Sequence, residues 1–69
     1  MKVTKLSMGY YKITIETNTY YVSFDDMQKL WIVEVRIDNS KYGMKDSLEH
    51  ITSLPTLRDC KLAVKSLHI

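Results

Sequence analysis

The chain has 69 residues, of which 45% are hydrophobic and 26% charged, and a formal net charge of +2 at pH 7. This length predicts one domain, residues 1–69, with a small core, and the ordinary composition argues against a linker or a low-complexity tail. The weak charge does not indicate a polyanionic partner, and no apolar run approaches the ~20 residues that cross a membrane.

The amino-terminal segment does not have the pattern of a secretion signal, and two roles in the fold are open to it. Residues 1–8, MKVTKLSM, lack a long apolar region followed by small residues, so we expect no signal peptide and a mature chain that begins at Met1. Residues 3–8 either extend the first strand or form a short strand beside it, with Gly9 as a bend or bulge. The lone Cys60 excludes an internal disulfide and favours a reducing, cytoplasmic compartment.

Three alternating runs between residues 10 and 37 predict β-strands. They read YYKITIE (10–16), YYVSF (20–24) and LWIVEVRI (30–37), and they are rich in the aromatic and β-branched residues that suit a pleated surface. Thr17 and Asn18 are the predicted tight turn between the first two, because asparagine tolerates a positive φ. Residues 26–29 form the next loop, so the runs predict a three-stranded antiparallel meander.

The two loops define a register in which the large apolar residues share one face. The expected pairs are Ile15 with Tyr20, Ile13 with Val22, Tyr11 with Phe24, Phe24 with Trp31, Val22 with Val33, and Tyr20 with Val35. A slip of one residue would move this whole set into water, so the register is strongly preferred. The face that carries Ile13, Val22 and Val33 is the predicted core.

Two less regular segments follow the meander. Residues 38–47 are polar and carry turn signals, which predicts a long loop. Residues 46–54, DSLEHITSL, are ambiguous, because Leu48, Ile51 and Leu54 fit a short helix begun by Ser47 and Ile51 also fits a short strand. An irregular or strand structure is favoured.

The last segment, SLPTLRDCKLAVKSLHI, predicts an amphipathic helix. Pro55 ends what precedes it, Thr56 caps the helix, and Asp59 stands in for the glutamate of a capping box. One helical face carries Leu57, Cys60, Ala63, Val64 and Leu67. Because a sheet with one apolar face needs a cover, the predicted class is α+β, a two-layer β-β-β-α domain in which a C-terminal helix covers a three-stranded meander, with one extra short strand as an option.

No set of residues fits a catalytic or metal site. His50, His68 and Cys60 are the only nitrogen or sulfur ligands in the sequence, and no usual zinc spacing occurs. Cys60 is expected to be a buried, inert thiol, and His68 a solvated end residue. With two glycines in the chain, no phosphate-binding loop can be written. We therefore expect a protein that is not an enzyme and has no cofactor.

The sheet face away from the helix is the predicted interaction surface. Its expected members are Tyr10, Lys12, Thr14, Glu16, Thr19, Tyr21, Ser23, Asp25, Leu30, Ile32, Glu34 and Arg36. Two of these are basic and three acidic, unlike a sheet that neutralises DNA phosphates, whereas aromatic and apolar content is common where proteins meet proteins. The predicted protein-binding residues are Tyr10, Tyr21, Ile32, Glu34 and, in the long loop, Tyr42.

Two stretches, WIVEVRI (31–37) and LPTLRDCKLAV (54–64), resemble parts of DNA-binding domains. The families are the plant ethylene-response-factor domain and the amino-terminal arm-binding domain of phage and transposon integrases, and the resemblance covers residues 20–67. It implies a three-stranded sheet on one helix that reads DNA with basic and aromatic side chains. Here only Lys12 and Arg36 match that role on the sheet. DNA binding is therefore the alternative function, with a basic stripe of the helix completing its set: Arg58, Lys61 and Lys65.

The chain also resembles small phage-encoded accessory proteins, in its size and in the helix that ends a very short chain. That likeness implies binding to a host factor, for example as an inhibitor of a defence system or a polymerase. The leading prediction is a non-catalytic protein-binding module, an inhibitor or adaptor acting on a host protein in the cytoplasm, with no membrane partner. Self-association through the first strand or the exposed face is a third prediction, because the core is small.

Overall fold

The residues that the structure describes form a five-stranded antiparallel sheet and one helix. This computed structural model describes residues 1–37, 41, 43 and 45–68. The elements are β1 (Lys2–Ser7), β2 (Tyr10–Ile15), β3 (Asn18–Asp25), β4 (Leu30–Ile37), β5 (Ser47–Leu54) and α1 (Leu57–Ser66). The strand order is β1-β2-β3-β4-β5. The α+β class is confirmed, but the expected sheet of three strands with one optional strand is too small.

The two strands beyond the meander lie at the edges of the sheet. Residues 2–7 form the separate strand β1, which pairs with β2 and has an irregularity between Lys5 and Ser7. Gly9 follows with a φ of 74°, a left-handed conformation that glycine adopts without a steric penalty, so the chain can reverse there. At the other edge, β5 pairs along β4 with an irregularity beside Val33, which confirms a strand for the ambiguous segment.

The turn between β2 and β3 lies one residue earlier than expected. Glu16 and Thr17 form it, Glu16 has a φ of 55°, and Asn18 already belongs to β3. The predicted pairs of β2 with β3 are therefore wrong by two residues: Ile13 lies opposite Tyr20. Because side chains alternate with a period of two, this shift leaves the same residues on the same face.

The pairing of β3 with β4 agrees with the sequence prediction. Phe24 lies opposite Trp31, Val22 opposite Val33, and Tyr20 opposite Val35. The loop over residues 26–29 is closed by Asp25, whose carboxylate accepts backbone N–H bonds from Met27 at 2.9 Å and Gln28 at 3.3 Å. The Asp25 side chain holds the start of the loop, and Lys29, with a φ of 56°, takes the left-handed conformation at its end.

The core lies between α1, which packs on β3, β4 and β5, and the helix-facing side of strands β2 to β5. Its buried members are Ile13, Tyr20, Val22, Val33, Cys60 and Val64. Thr56 caps the helix as expected, because its Oγ1 accepts the N–H of Asp59 at 3.1 Å. Leu67 departs from the expected helix face, since it follows the last turn of α1 and is 55% exposed. No helix within the described ranges is long and apolar enough to cross a lipid bilayer.

His68 is not the solvated end residue that the sequence predicts. A hydrogen bond of 2.7 Å joins its Nε2 to the hydroxyl of Tyr20, and the two rings meet edge to face at 5.6 Å. Tyr20 is buried, and a buried tyrosine hydroxyl needs a polar partner. The chain after α1 supplies that partner and thereby fastens the carboxyl end to β3.

Tyr20→Phe is expected to lower the free energy of unfolding by about 1 kcal/mol, because it removes this hydrogen bond. Urea unfolding followed by circular dichroism measures the change. His68→Phe should cost a similar amount, and the double variant little more than either single one, since both remove the same bond. Fully additive losses would show that the two side chains do not act as a pair.

Candidate functional site

One side of the sheet faces away from α1, and we call it the open face. Residues paired across neighbouring strands point to the same side, so the register defines its members. These are Lys2, Thr4, Ser7, Tyr10, Lys12, Thr14, Thr19, Tyr21, Ser23, Asp25, Leu30, Ile32, Glu34, Arg36, Leu48, His50 and Ser53. Glu16, expected here, lies instead in the turn after β2.

Two stacked tyrosines mark the open face. The rings of Tyr10 and Tyr21 have centroids 5.9 Å apart and planes inclined by 20°. They are diagonal neighbours, since Tyr10 lies opposite Ser23 and Tyr21 opposite Lys12. Stacking holds each ring in place and leaves both only half-buried. A fixed, partly exposed aromatic pair loses little side-chain entropy when a partner covers it.

The register brings four of the five predicted protein-binding residues together. Tyr10 and Ile32 share one cross-strand row, with the small Ser23 between them. Tyr21 and Glu34 are direct neighbours in the adjacent row. The four side chains therefore surround the middle of β3, with an apolar centre and charge beside it. The fifth predicted residue, Tyr42, and residues 38–40 and 44 of the predicted loop lie outside the described residues.

His50 belongs to the same surface, although the sequence pattern did not assign it to either face of the sheet. It lies opposite Glu34, and its Nε2 hydrogen-bonds the Oγ of Ser53 at 2.9 Å. His50 lies on the open face because the ambiguous segment forms a strand and because this strand has an irregularity beside Val33. The two polar side chains form the β5 border of the surface.

The basic residues of the alternative, DNA-binding set do not form one surface. Lys12 lies on β2 of the open face, and Arg36 near the end of β4 donates from Nε to Asp46 Oδ2 at 2.7 Å. Arg58, Lys61 and Lys65 lie on α1, in the other layer of the domain. A phosphate backbone that contacted the helix stripe would therefore not reach the basic residues of the sheet.

The helix-covered side of the sheet has an uncovered end that sequence reasoning missed. Tyr11, Phe24 and Trp31 cluster there, with ring centroids of Trp31 5.9 Å from Tyr11 and 5.2 Å from Phe24. They were expected beneath the helix, but Phe24 is 39% exposed. The cluster forms a depression that we call the aromatic groove, lined by Lys5, Met8, Gly9, Tyr11, Phe24 and Trp31.

The width of the helix explains why the side of this groove formed by Lys5 on β1 and Tyr11 on β2 is open. A helix is about 10 Å across, and five strands at about 4.8 Å spacing form a sheet nearly twice as wide. α1 lies over β3, β4 and β5. The sequence indicates the groove in one way alone: a single short helix is too narrow for five strands. That mismatch becomes visible only when β1 and β5 are recognised as strands.

Cys60 is buried, as the sequence predicts. Its Sγ donates to the carbonyl oxygen of Trp31 at 3.7 Å. Burial raises the pKa of the Cys60 thiol, the neighbouring Asp59 carboxylate raises it further, and a backbone hydrogen bond at Leu54 opposes both. The thiol therefore stays protonated and enclosed, which is the opposite of a nucleophile.

Cys60 is expected to react with an aromatic disulfide reagent at pH 8 about a hundredfold more slowly in the folded protein than in urea, because the domain must first open by ~3 kcal/mol. Absorbance of the released thiolate measures the rate. Because the folded pKa is raised, the unfolded state loses its proton first as pH rises. Stability should be complete below the ordinary thiol pKa and fall above it. Equal rates with and without urea would contradict the burial.

The described residues offer no cluster of side chains that could hold a metal ion. No three His, Cys, Asp or Glu side chains come together among residues 1–37, 41, 43 and 45–68. A hollow between β5 and α1 contains no titratable side chain, and its lining is Val33, Ile51, Thr52, Leu54, Ala63, Val64, Ser66 and Leu67. The open face and the aromatic groove are the candidate binding surfaces among the described residues.

Comparison with known proteins adds no relative. No protein-family model, no curated protein and no solved structure matches this chain. The function is therefore argued from the chemistry of the two surfaces.

Proposed function

We propose that this chain is a non-catalytic protein-binding module whose open face contacts a partner protein. The stacked Tyr10 and Tyr21 pair is the observation that carries the proposal. Tyrosine is enriched at protein interfaces because its ring adds a large contact area and its hydroxyl adds a hydrogen bond, at the cost of few rotatable bonds.

The neighbours of the tyrosines support a protein partner over a nucleic acid. Ile32 adds an aliphatic side chain beside the pair, and Lys12 and Glu34 flank Tyr21 with opposite charges. Mixed charge around an apolar centre fits the polar rim and dry centre of a protein interface. A phosphate backbone would be repelled by Glu34 and attracted by Lys12 in the same row.

An inhibitor or adaptor is the role that suits such a module. A domain of this size acts by occupying a surface of its partner. The resemblance to phage-encoded accessory proteins supports a host protein as that partner. A single, enclosed thiol at Cys60 supports a reducing compartment, the cytoplasm, as the place of action.

Tyr21→Ala is expected to reduce partner capture about tenfold or more, because truncating a central aromatic anchor commonly costs ~2 kcal/mol of binding. The measurement is affinity capture from a lysate on the immobilised chain, quantified by mass spectrometry. Leu62→Ala is the matched control, since Leu62 is 56% exposed on α1 in the other layer. Unchanged capture by Tyr21→Ala, or an equal loss in both variants, would contradict the proposal.

A further inference from the structure

β1 is an exposed edge of the sheet. All six of its residues are exposed, and in the part of the chain that the structure describes it pairs with β2 alone. One side of its backbone therefore presents N–H and C=O groups that a further strand can bond. Main-chain pairing with a sheet edge is a common way for a domain to bind an extended peptide.

The chemistry around β1 is basic on both faces of the sheet. Residues 1–15 contain Lys2, Lys5 and Lys12 and no acidic residue. Lys2 and Lys12 lie on the open face, and Lys5 lies opposite Tyr11 on the side of the aromatic groove. A strand added at this edge therefore meets positive charge above and below it. An acidic chain is attracted there.

A second copy of this chain is a poor occupant for the same reason. Two β1 strands side by side would bring four lysines together, and lysines on an edge strand are a known obstacle to pairing between copies. The other edge, β5, has acidic Glu49 and lies against α1. The charge pattern thus distinguishes β1 from β5 and an acidic partner from self-association.

The aromatic groove supplies a site for one apolar side chain of the same peptide. Lys5 stands at its β1 border, Met8 is 93% exposed beside it, and Phe24 and Trp31 lie behind them. Side chains of an added strand alternate between the two faces. Those on the groove side lie next to Lys5, at the border of the groove that is nearest to β1.

We propose that the β1 edge and the aromatic groove together bind an extended acidic peptide. The peptide adds to the sheet as a strand, its carboxylates pair with Lys2 and Lys5, and an apolar side chain enters the groove. This surface is separate from the central rows of the open face, so the inference stands whether or not those rows bind a protein.

Selection from a displayed library of random 12-residue peptides tests the charge and the pattern. The enriched peptides are expected to be acidic, with apolar residues at alternate positions. An enriched peptide is then titrated against the full chain while tryptophan fluorescence is recorded. Trp31 is the only tryptophan, so the signal reports directly on the groove. No enrichment, or enrichment without acidic residues, overturns the proposal.

Charge reversal then tests the edge. The Lys2→Glu/Lys5→Glu variant is expected to weaken peptide binding about tenfold or more, because two attractions become repulsions. Repeated selection on this variant should favour basic peptides. The matched control is Lys61→Glu/Lys65→Glu on α1, which makes the same charge change in the other layer. Equal weakening by both variants overturns the site, and circular dichroism shows that each variant is folded.

A proline scan of the selected peptide tests strand addition. Proline lacks the N–H that a sheet requires, so proline at central, alternate positions should abolish binding with charge and length unchanged. If proline is tolerated at both sets of alternate central positions, pairing at the edge is overturned. Light scattering over a concentration series should show a monomer. A dimer that dissociates when Lys5 is reversed to glutamate would assign the edge to a second copy and overturn the proposal.

Discussion

Ile13→Ala is expected to lower the free energy of unfolding by about 2–5 kcal/mol, because it removes a fully buried side chain of the core from β2. Ile13 lies opposite Tyr20 on β3 and Val3 on β1, and no solvent reaches it. A domain of this size has a total stability of roughly 3–5 kcal/mol. The variant should therefore lose most of its stability, as a thermal unfolding curve followed by circular dichroism would show.

Two further variants make this prediction quantitative. Ile13→Val keeps most of the side chain and should cost about 0.5–1.5 kcal/mol, which urea unfolding can measure even if the alanine variant does not fold. Val3→Ala is the matched control, because Val3 is the cross-strand neighbour of Ile13 yet is 36% exposed. It should cost about 0.5 kcal/mol. Equal losses at positions 3 and 13 would contradict the described core.

Ile32→Asp is expected to weaken partner binding at least about a hundredfold while the chain stays folded. Ile32 is half-buried at the centre of the open face, with Ser23 on one side and Ser53 on the other. In the complex the new carboxylate would be buried without a matching cation, which costs several kcal/mol. Calorimetry with the captured, purified partner measures the affinity, and circular dichroism the fold.

Controls on the other layer separate the competing functions. Leu62→Asp adds the same carboxylate to the exposed side of α1 and should leave binding unchanged. Lys61→Glu/Lys65→Glu should also leave it unchanged, and binding should depend only weakly on salt. If the lysine variant loses binding while Ile32→Asp keeps it, the interface lies on α1 and the proposal is wrong. Duplex DNA binding that falls steeply with salt would favour the alternative function.

The sequence predicted which face of the sheet each residue of the central strands occupies. Side chains alternate with a period of two residues, so a register error of two residues leaves every side chain on its own face. The expected turn at Thr17 and Asn18 was wrong, since Glu16 takes the positive φ that asparagine was expected to take. The pairing of β2 with β3 moved by two residues as a result, yet the core residues Ile13 and Val22 kept their side. In such a sheet, the burial of one face determines which side chains point to the core more strongly than the conformational preference of a single turn residue does.

The edge strands were harder to predict, for different reasons. β1 is exposed along its whole length, so it has no buried face that would impose an alternating pattern. In β5 the irregularity beside Val33 leaves Ile51 without a direct partner, and both Ile51 and Leu54 pack on the core. That spacing of three is also the spacing of a helix, which made the segment ambiguous.

The candidate sites also divide into residues that the local sequence pattern predicts and residues that it does not. Tyr21, Ile32 and Glu34 could be grouped from the pattern, because the pairing of β3 with β4 was correct. Tyr10 was assigned to the correct face, but its place beside Ser23 required the structure, because the predicted pairing of β2 with β3 was wrong. His50 and the aromatic groove depend on β5 and on how far one helix reaches across five strands. Neither is a local property of the sequence, so both required the structure.

Photo-crosslinking from the open face tests the central claim most directly. A benzophenone amino acid replaces Tyr21 in one variant and Leu62 in another, and both are irradiated with a lysate or with the purified partner. The proposed interface predicts a covalent adduct with the captured partner from position 21 and none from position 62. An adduct from position 62 alone, or a captured partner that position 21 never labels, would contradict it.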